Sequence, residues 1–133
     1  MNDRGDKRIS AFVSGAGTGG TIMGISKRLN SMKMGTKIIL VTPYESAQEH
    51  GIQGIGDGGD YLVDRKQVNQ VVKIKTLDAT ERAKRLAREK GLLVGISSGA
   101  NVLAAEQWIK ENNPTLPVVT ILPDRGERYL SLF

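Results

Sequence analysis

The run Ser14-Gly15-Ala16-Gly17-Thr18-Gly19-Gly20-Thr21 constrains the fold of this chain more than any other segment, because it joins a short apolar stretch, residues 9–13, to a helical period over residues 21–30. Residues 9–13 have the length and branching of a buried strand, whereas Ile22, Ile25 and Leu29 form one stripe of a helix. A strand that passes through glycines into a helix is where a parallel sheet offers backbone N–H groups, and the positive end of a helix dipole, to an anion. Glycines let a ligand come close to the backbone, and the hydroxyls of Thr18 and Thr21 add donors. A tight turn that needs glycine only for its dihedrals is the blander alternative. Four glycines within six residues at this junction favour phosphate.

Gly15, Gly17 and Gly20 match the G-x-G-x-x-G pattern of dinucleotide folds, which also place an acidic residue at the end of the second strand to hold a ribose. Here the second strand, residues 37–41, runs into Thr42-Pro43, and Glu45 comes only beyond the proline. A P-loop is excluded, since no Lys-Ser or Lys-Thr follows the glycines.

Further along, apolar runs at residues 71–74, 92–96 and 118–122 read as strands, and residues 79–90 and 100–111 as helices. Asp78 is placed as N-cap of the first of these helices, with Glu81 three residues on, Ala83, Leu86 and Ala87 as its stripe and Gly91 as its stop. Val102, Ala105 and Ile109 mark the stripe of the second, which Asn112-Asn113-Pro114 ends. Alternating strands and helices predict an α/β fold, a mostly parallel sheet flanked by helices. Residues 44–64 are polar, glycine-rich and without period, and a loop of that length is usually functional.

A length of 133 residues with 39% apolar and 25% charged side chains suits one globular domain. The net charge of +5 does not indicate nucleic acid, because aromatics are only 5% and the densest basic group, Lys84, Arg85, Arg88 and Lys90, is interleaved with Glu81 and Glu89 as on a solvated helix face. No run of about 18 apolar residues marks a membrane span, and the charged residues 1–8 lack a secretory core, which predicts a cytoplasmic protein. With no cysteine and one histidine, His50, no metal site is expected, and Ser97 and Ser98 lack a partner for a hydrolase triad. Trp108 is read as packing within its helix.

Beyond the loop Gly17-Thr18-Gly19-Gly20-Thr21, three segments follow in order: Ile52-Gln53-Gly54-Ile55-Gly56, then Gly95-Ile96-Ser97-Ser98-Gly99-Ala100, then Leu122-Pro123 with Gly126-Glu127-Arg128-Tyr129-Leu130-Ser131. Together they resemble the cysteine synthases (O-acetylserine sulfhydrylases) and the related cystathionine β-synthases over nearly the whole chain from Ile9 onward. The resemblance implies the C-terminal portion of a fold-type II, tryptophan synthase β-like enzyme with pyridoxal 5′-phosphate as cofactor. It implies that Gly17, Thr18, Gly19, Gly20 and Thr21 surround the cofactor phosphate, that Ser97 lies beside the pyridine nitrogen, and that Gln53 and Gly54 border the substrate cleft. From its position alone Ser97 fits a helix N-cap equally well. Asp57-Gly58-Gly59-Asp60 stands where the family often carries an aromatic residue, so substrate specificity is left open.

By the same resemblance, residues 1–133 are expected to be a single partial domain, the lysine-bearing N-terminal half has no counterpart, and no residue here takes a catalytic role. The implied reaction is β-replacement on an activated serine, O-acetylserine or similar, with sulfide to give L-cysteine, the chain alone being inactive. Expected partners are these small molecules, a complementary N-terminal half, a second copy in a homodimer of the complete enzyme, and serine acetyltransferase. Cystathionine β-synthase activity, a non-catalytic module that binds pyridoxal phosphate or the acetyltransferase tail, and a nucleotide-binding module are the rivals.

Overall fold

A computed structural model describes residues 7–45, 49, 51–52 and 63–132. Its strands β1 (Ala11–Gly15), β2 (Lys37–Pro43), β3 (Gln70–Ile74) and β4 (Val118–Thr120) form one sheet in the order β3-β2-β1-β4. Every pairing is parallel, with Ala11 opposite both Lys37 and Val118. A parallel sheet is covered on both faces, which is why the central strand reads as an unbroken apolar run, Ile38 to Val41.

Alternate residues of that run serve two cores. Ile39 and Val41, with Ala11 and Val13 of β1, face helix α3 (Ile96–Asn112), where Ala100, Ala104 and Trp108 meet them. Ile38 and Leu40, with Phe12, face helix α1 (Gly20–Ser31), whose predicted stripe of Ile22, Ile25 and Leu29 lies in that second cluster. Each fully buried Ile or Leu of these layers contributes roughly 1.5–3 kcal/mol, so the two faces hold the sheet from both sides. Trp108 is indeed core.

Helix α2 (Thr76–Lys90) packs outside α3, and Gly91, at φ 67°, ends it as expected. Its start differs from expectation: Asp78 lies in the first turn, and the Thr76 N–H donates to the Glu45 carboxylate at 2.7 Å. A distant side chain therefore caps the helix, a nonlocal device that no sequence window contains.

Residues 92–96 are not a strand. Only Val94 forms a bridge, antiparallel to Arg125, while Gly95 N–H donates to the Asp124 carbonyl and Gly126 N–H to that of Leu93. A five-residue apolar run has no period that separates a strand from a linker entering a buried helix, and here α3 begins at Ile96, four residues earlier than expected. The stripe expected on α3 is also revised, because Ile109 is exposed while Ala100, Ala104 and Trp108 are buried. Sandwiched between the sheet and α2, α3 buries residues on several sides, so a single stripe understates its contacts. Gly99 permits the close approach: a Cβ there would run into the Ala79 carbonyl oxygen and lie 2.9 Å from the Ala83 nitrogen.

Candidate functional site

From β1 the chain leaves through α1 on one face of the sheet toward β2, whereas β4, on the other side of β1, is reached through α3 on the opposite face. Neighbouring strands whose connections leave in opposite directions open a crevice at their carboxyl ends, and in α/β sheets ligands bind there. A cleft of about 200 Å³ occupies that position, walled by residues 14–22 of the glycine loop, by Ser97 and Asn101 of α3, and by Ile121, Pro123 and Asp124 beyond β4.

Every residue from Gly17 to Thr21 lines this cleft, and so does Ser97. Gly20 opens α1 one residue ahead of the predicted start at Thr21, and Gly19 turns the chain into the helix with φ 99°, a conformation that glycine adopts without strain. No side chain caps α1 and its first turn carries no acid, so its leading N–H groups and dipole remain available to an anion. Between Gly17 and Thr21 a long contact runs from Gly20 N–H to Thr18 Oγ1 at 3.4 Å.

Ser97 lies in the first turn of α3, while the N-cap is Gly95 and no side chain caps the helix. Its helix-cap role is thereby excluded. The residue is buried, at 4% exposure, and its hydroxyl has no protein partner among the described residues, although it lines the cleft. Gln53 and Gly54 lie outside the described residues, as does His50. The chain on the near side of them is anchored, because Gly51 N–H donates to Thr76 Oγ1 at 3.1 Å and Ile52 is buried in the core.

Asn101 is the site residue that the sequence did not disclose. Its side chain is buried, its Oδ1 accepts from Gly15 N–H at 2.9 Å, and its Nδ2 donates to the Ile121 carbonyl at 3.0 Å. The one local signal was its spacing of one helical turn from Ser97, which puts both on the same side of α3.

No lysine, arginine or histidine is among the described residues that line the cleft, and Asp124 stands at its rim. An anion would be held by backbone N–H groups, hydroxyls and helix dipole, not by a cationic side chain. The arginines of α2 are engaged elsewhere. Arg88 pairs with Glu81, Arg85 holds the Glu89 carboxyl below its usual range through a hydrogen bond, and Arg82 is raised by its bond to Glu106. Glu45, spent on the start of α2, is not placed to hold a ribose. Among the described residues no group of three or more His, Cys, Asp or Glu could hold a metal, and no helix is long and apolar enough to cross a membrane.

Fold and cleft together define an α/β protein with a glycine loop and an uncapped helix start at the switch point of a parallel sheet. The family model described as pyridoxal-phosphate dependent enzyme matches residues 1–124, and the chain belongs to that family. Its relatives include the cysteine synthase of Staphylococcus aureus (strain N315), 38% identical over 94% of this chain and 43% of that protein. Among solved structures it is similar to O-acetyl serine sulfhydrylase isoform 3 from Entamoeba histolytica, with a TM-score of 0.87 and 39% identity over 95% of this chain and 41% of that one. A hydrogen sulfide-producing enzyme from Fusobacterium nucleatum superposes with a TM-score of 0.83 at 37% identity, over 93% of this chain and 40% of that one. The chain therefore spans about two-fifths of the length of the relatives it matches.

Proposed function

We propose that this chain forms the phosphate-and-ring wall of the active site of a cytoplasmic enzyme that makes L-cysteine from an activated serine and sulfide. The observation that carries this is the convergence on one cleft of the uncapped start of α1 and the unpartnered Ser97 hydroxyl. Those residues fit the family's cofactor. The glycine loop offers N–H groups for a phosphate dianion, and a buried neutral hydroxyl suits an uncharged pyridine nitrogen better than a carboxylate would. The cleft is smaller than the ~300–1,000 Å³ of a complete small-molecule site, consistent with one wall of a larger one.

Pyridoxal phosphate, when bound, supplies the electron sink that lets the α-proton and the β-substituent of the serine derivative leave. The chain's own residues bind and orient. The backbone N–H groups of Gly17, Gly19 and Gly20 would hold the phosphate, Thr18 and Thr21 would add hydroxyl donors, and the Ser97 hydroxyl would donate a hydrogen bond to the ring nitrogen, which then stays unprotonated. A weaker sink results, which favours β-elimination over return of the proton to the wrong carbon. No lysine is among the described residues that line the cleft, and on this reading the lysine that would hold the cofactor and move the α-proton belongs to the part of the relatives' length that the chain does not span. From the family resemblance we assign Gln53 and Gly54 to the amino-acid substrate, and homodimer formation and docking of serine acetyltransferase to the complete enzyme.

The nucleophile is the less constrained part, because identity to a hydrogen sulfide-producing enzyme, 37%, nearly equals that to the sulfhydrylase, 39%. Combining the chain with a lysine-bearing N-terminal half and supplying O-acetylserine with either sulfide or homocysteine decides it. Cysteine formed from sulfide is the expected product. Cystathionine from homocysteine, with no cysteine from sulfide, would replace this activity with the synthase that uses the larger thiol.

A further inference from the structure

The geometry points to Asn101 as the positioning residue that sets the distance between the phosphate loop and Ser97, an inference that rests on the cofactor reading of the cleft. The ladder between β1 and β4 stops at Val13 opposite Thr120. Beyond that pair the two strands part, and their parting creates the cleft. Parting strands leave an N–H on one side and a carbonyl on the other without ladder partners, and buried backbone groups of that kind require replacements. One amide side chain supplies both: Asn101 accepts from Gly15 N–H and donates to the Ile121 carbonyl. It thereby bridges the gap at a fixed width.

The same side chain belongs to α3 and stands one turn from Ser97. Gly15 is the last residue of β1 and the entrance to the loop, so Asn101 ties loop, helix and β4 exit to one another at a single point. A cofactor held by both the loop and Ser97 would span two contacts, and their separation would have to match the reach from its planar ring to its phosphate. A side chain of fixed length between the walls sets that separation through the backbone groups it holds. Asparagine carries donor and acceptor in one planar amide at this reach, whereas glutamine carries the same amide on a longer arm.

The test uses the chain as it stands, with two probes followed by phosphorus NMR: pyridoxine 5′-phosphate, which lacks the aldehyde and cannot condense with an amine, and inorganic phosphate. The parent chain should prefer the pyridoxine ester by up to about tenfold, the value of one ring hydrogen bond. Asn101→Ala should reduce that preference to the level of Ser97→Ala, with a smaller loss of affinity for inorganic phosphate. The double variant should then be no worse than either single one, because contacts that act through one geometry are not additive. Asn101→Asp keeps the acceptor for Gly15 and loses the donor for Ile121, so it should fall between, and it carries the same comparison if the alanine variant folds poorly. An unchanged preference in both Asn101 variants, additive with Ser97→Ala, would overturn the positioning role alone. A parent chain that binds both probes equally would overturn the cofactor reading and this inference with it.

Discussion

Ser97 and Gly99 stand two residues apart on α3 and face different neighbours, one the cleft and the other α2. In a complete enzyme, Ser97→Ala should leave the phosphate anchored but loosen the ring, and Ser97→Asp should shift the cofactor's absorbance and raise abortive transamination. Parent-like spectra and turnover in both variants would remove Ser97 from the ring nitrogen. Gly99→Ala tests packing instead. Inside a helix that exchange ordinarily gains about 0.8–1 kcal/mol from propensity, yet here the new methyl meets the backbone of Ala79 and Ala83, which cannot yield without parting two helices. Overpacking costs about 1–3 kcal/mol, so chemical denaturation should show a net loss; a gain would mean that α2 and α3 are less closely apposed. The loop and Ser97 were legible because each lies in a contiguous motif. Asn101 was not, since its partners are 86 and 20 residues away in sequence and nothing local distinguishes a bridging amide from a surface one.

At the scale of elements, the sheet and α1 followed from local pattern, whereas α2 and α3 depended on each other. The start of α2 relies on Glu45, and Glu45→Ala should cost about 1 kcal/mol, as loss of a cap does. The same change should leave phosphate affinity at the cleft unaltered, because Glu45 is not among its lining residues. A phosphate titration and a urea melt on one sample separate the two effects, and weakened phosphate binding would show that the α2 end and the cleft are coupled. Residues 92–96 looked like a strand because apolar, branched residues predominate there, yet the sheet has its fourth place filled by β4 and the segment instead crosses the turn at Asp124–Gly126 through two backbone hydrogen bonds. Local composition states what a segment can be. Which segment occupies a sheet position is decided by the competition among all of them.

At the scale of the whole molecule, β4 is an edge strand of only three residues, with Val119 exposed, and Leu122 and Leu130 beyond it are exposed as well. Association with a lysine-bearing N-terminal half should cover apolar surface beside the cleft and restore some cysteine formation on co-expression. A soluble, well-folded pair that neither associates nor turns over would make the chain a separate module. The most direct measurement of the central claim is an amide-resolved NMR titration of the chain with pyridoxine 5′-phosphate. Binding at the switch point should move the N–H signals of Gly17 to Thr21 most, with Ser97 next, and leave the basic face of α2 unmoved. Shifts concentrated on Lys84, Arg85, Arg88 and Lys90, with the glycine loop silent, would contradict the account.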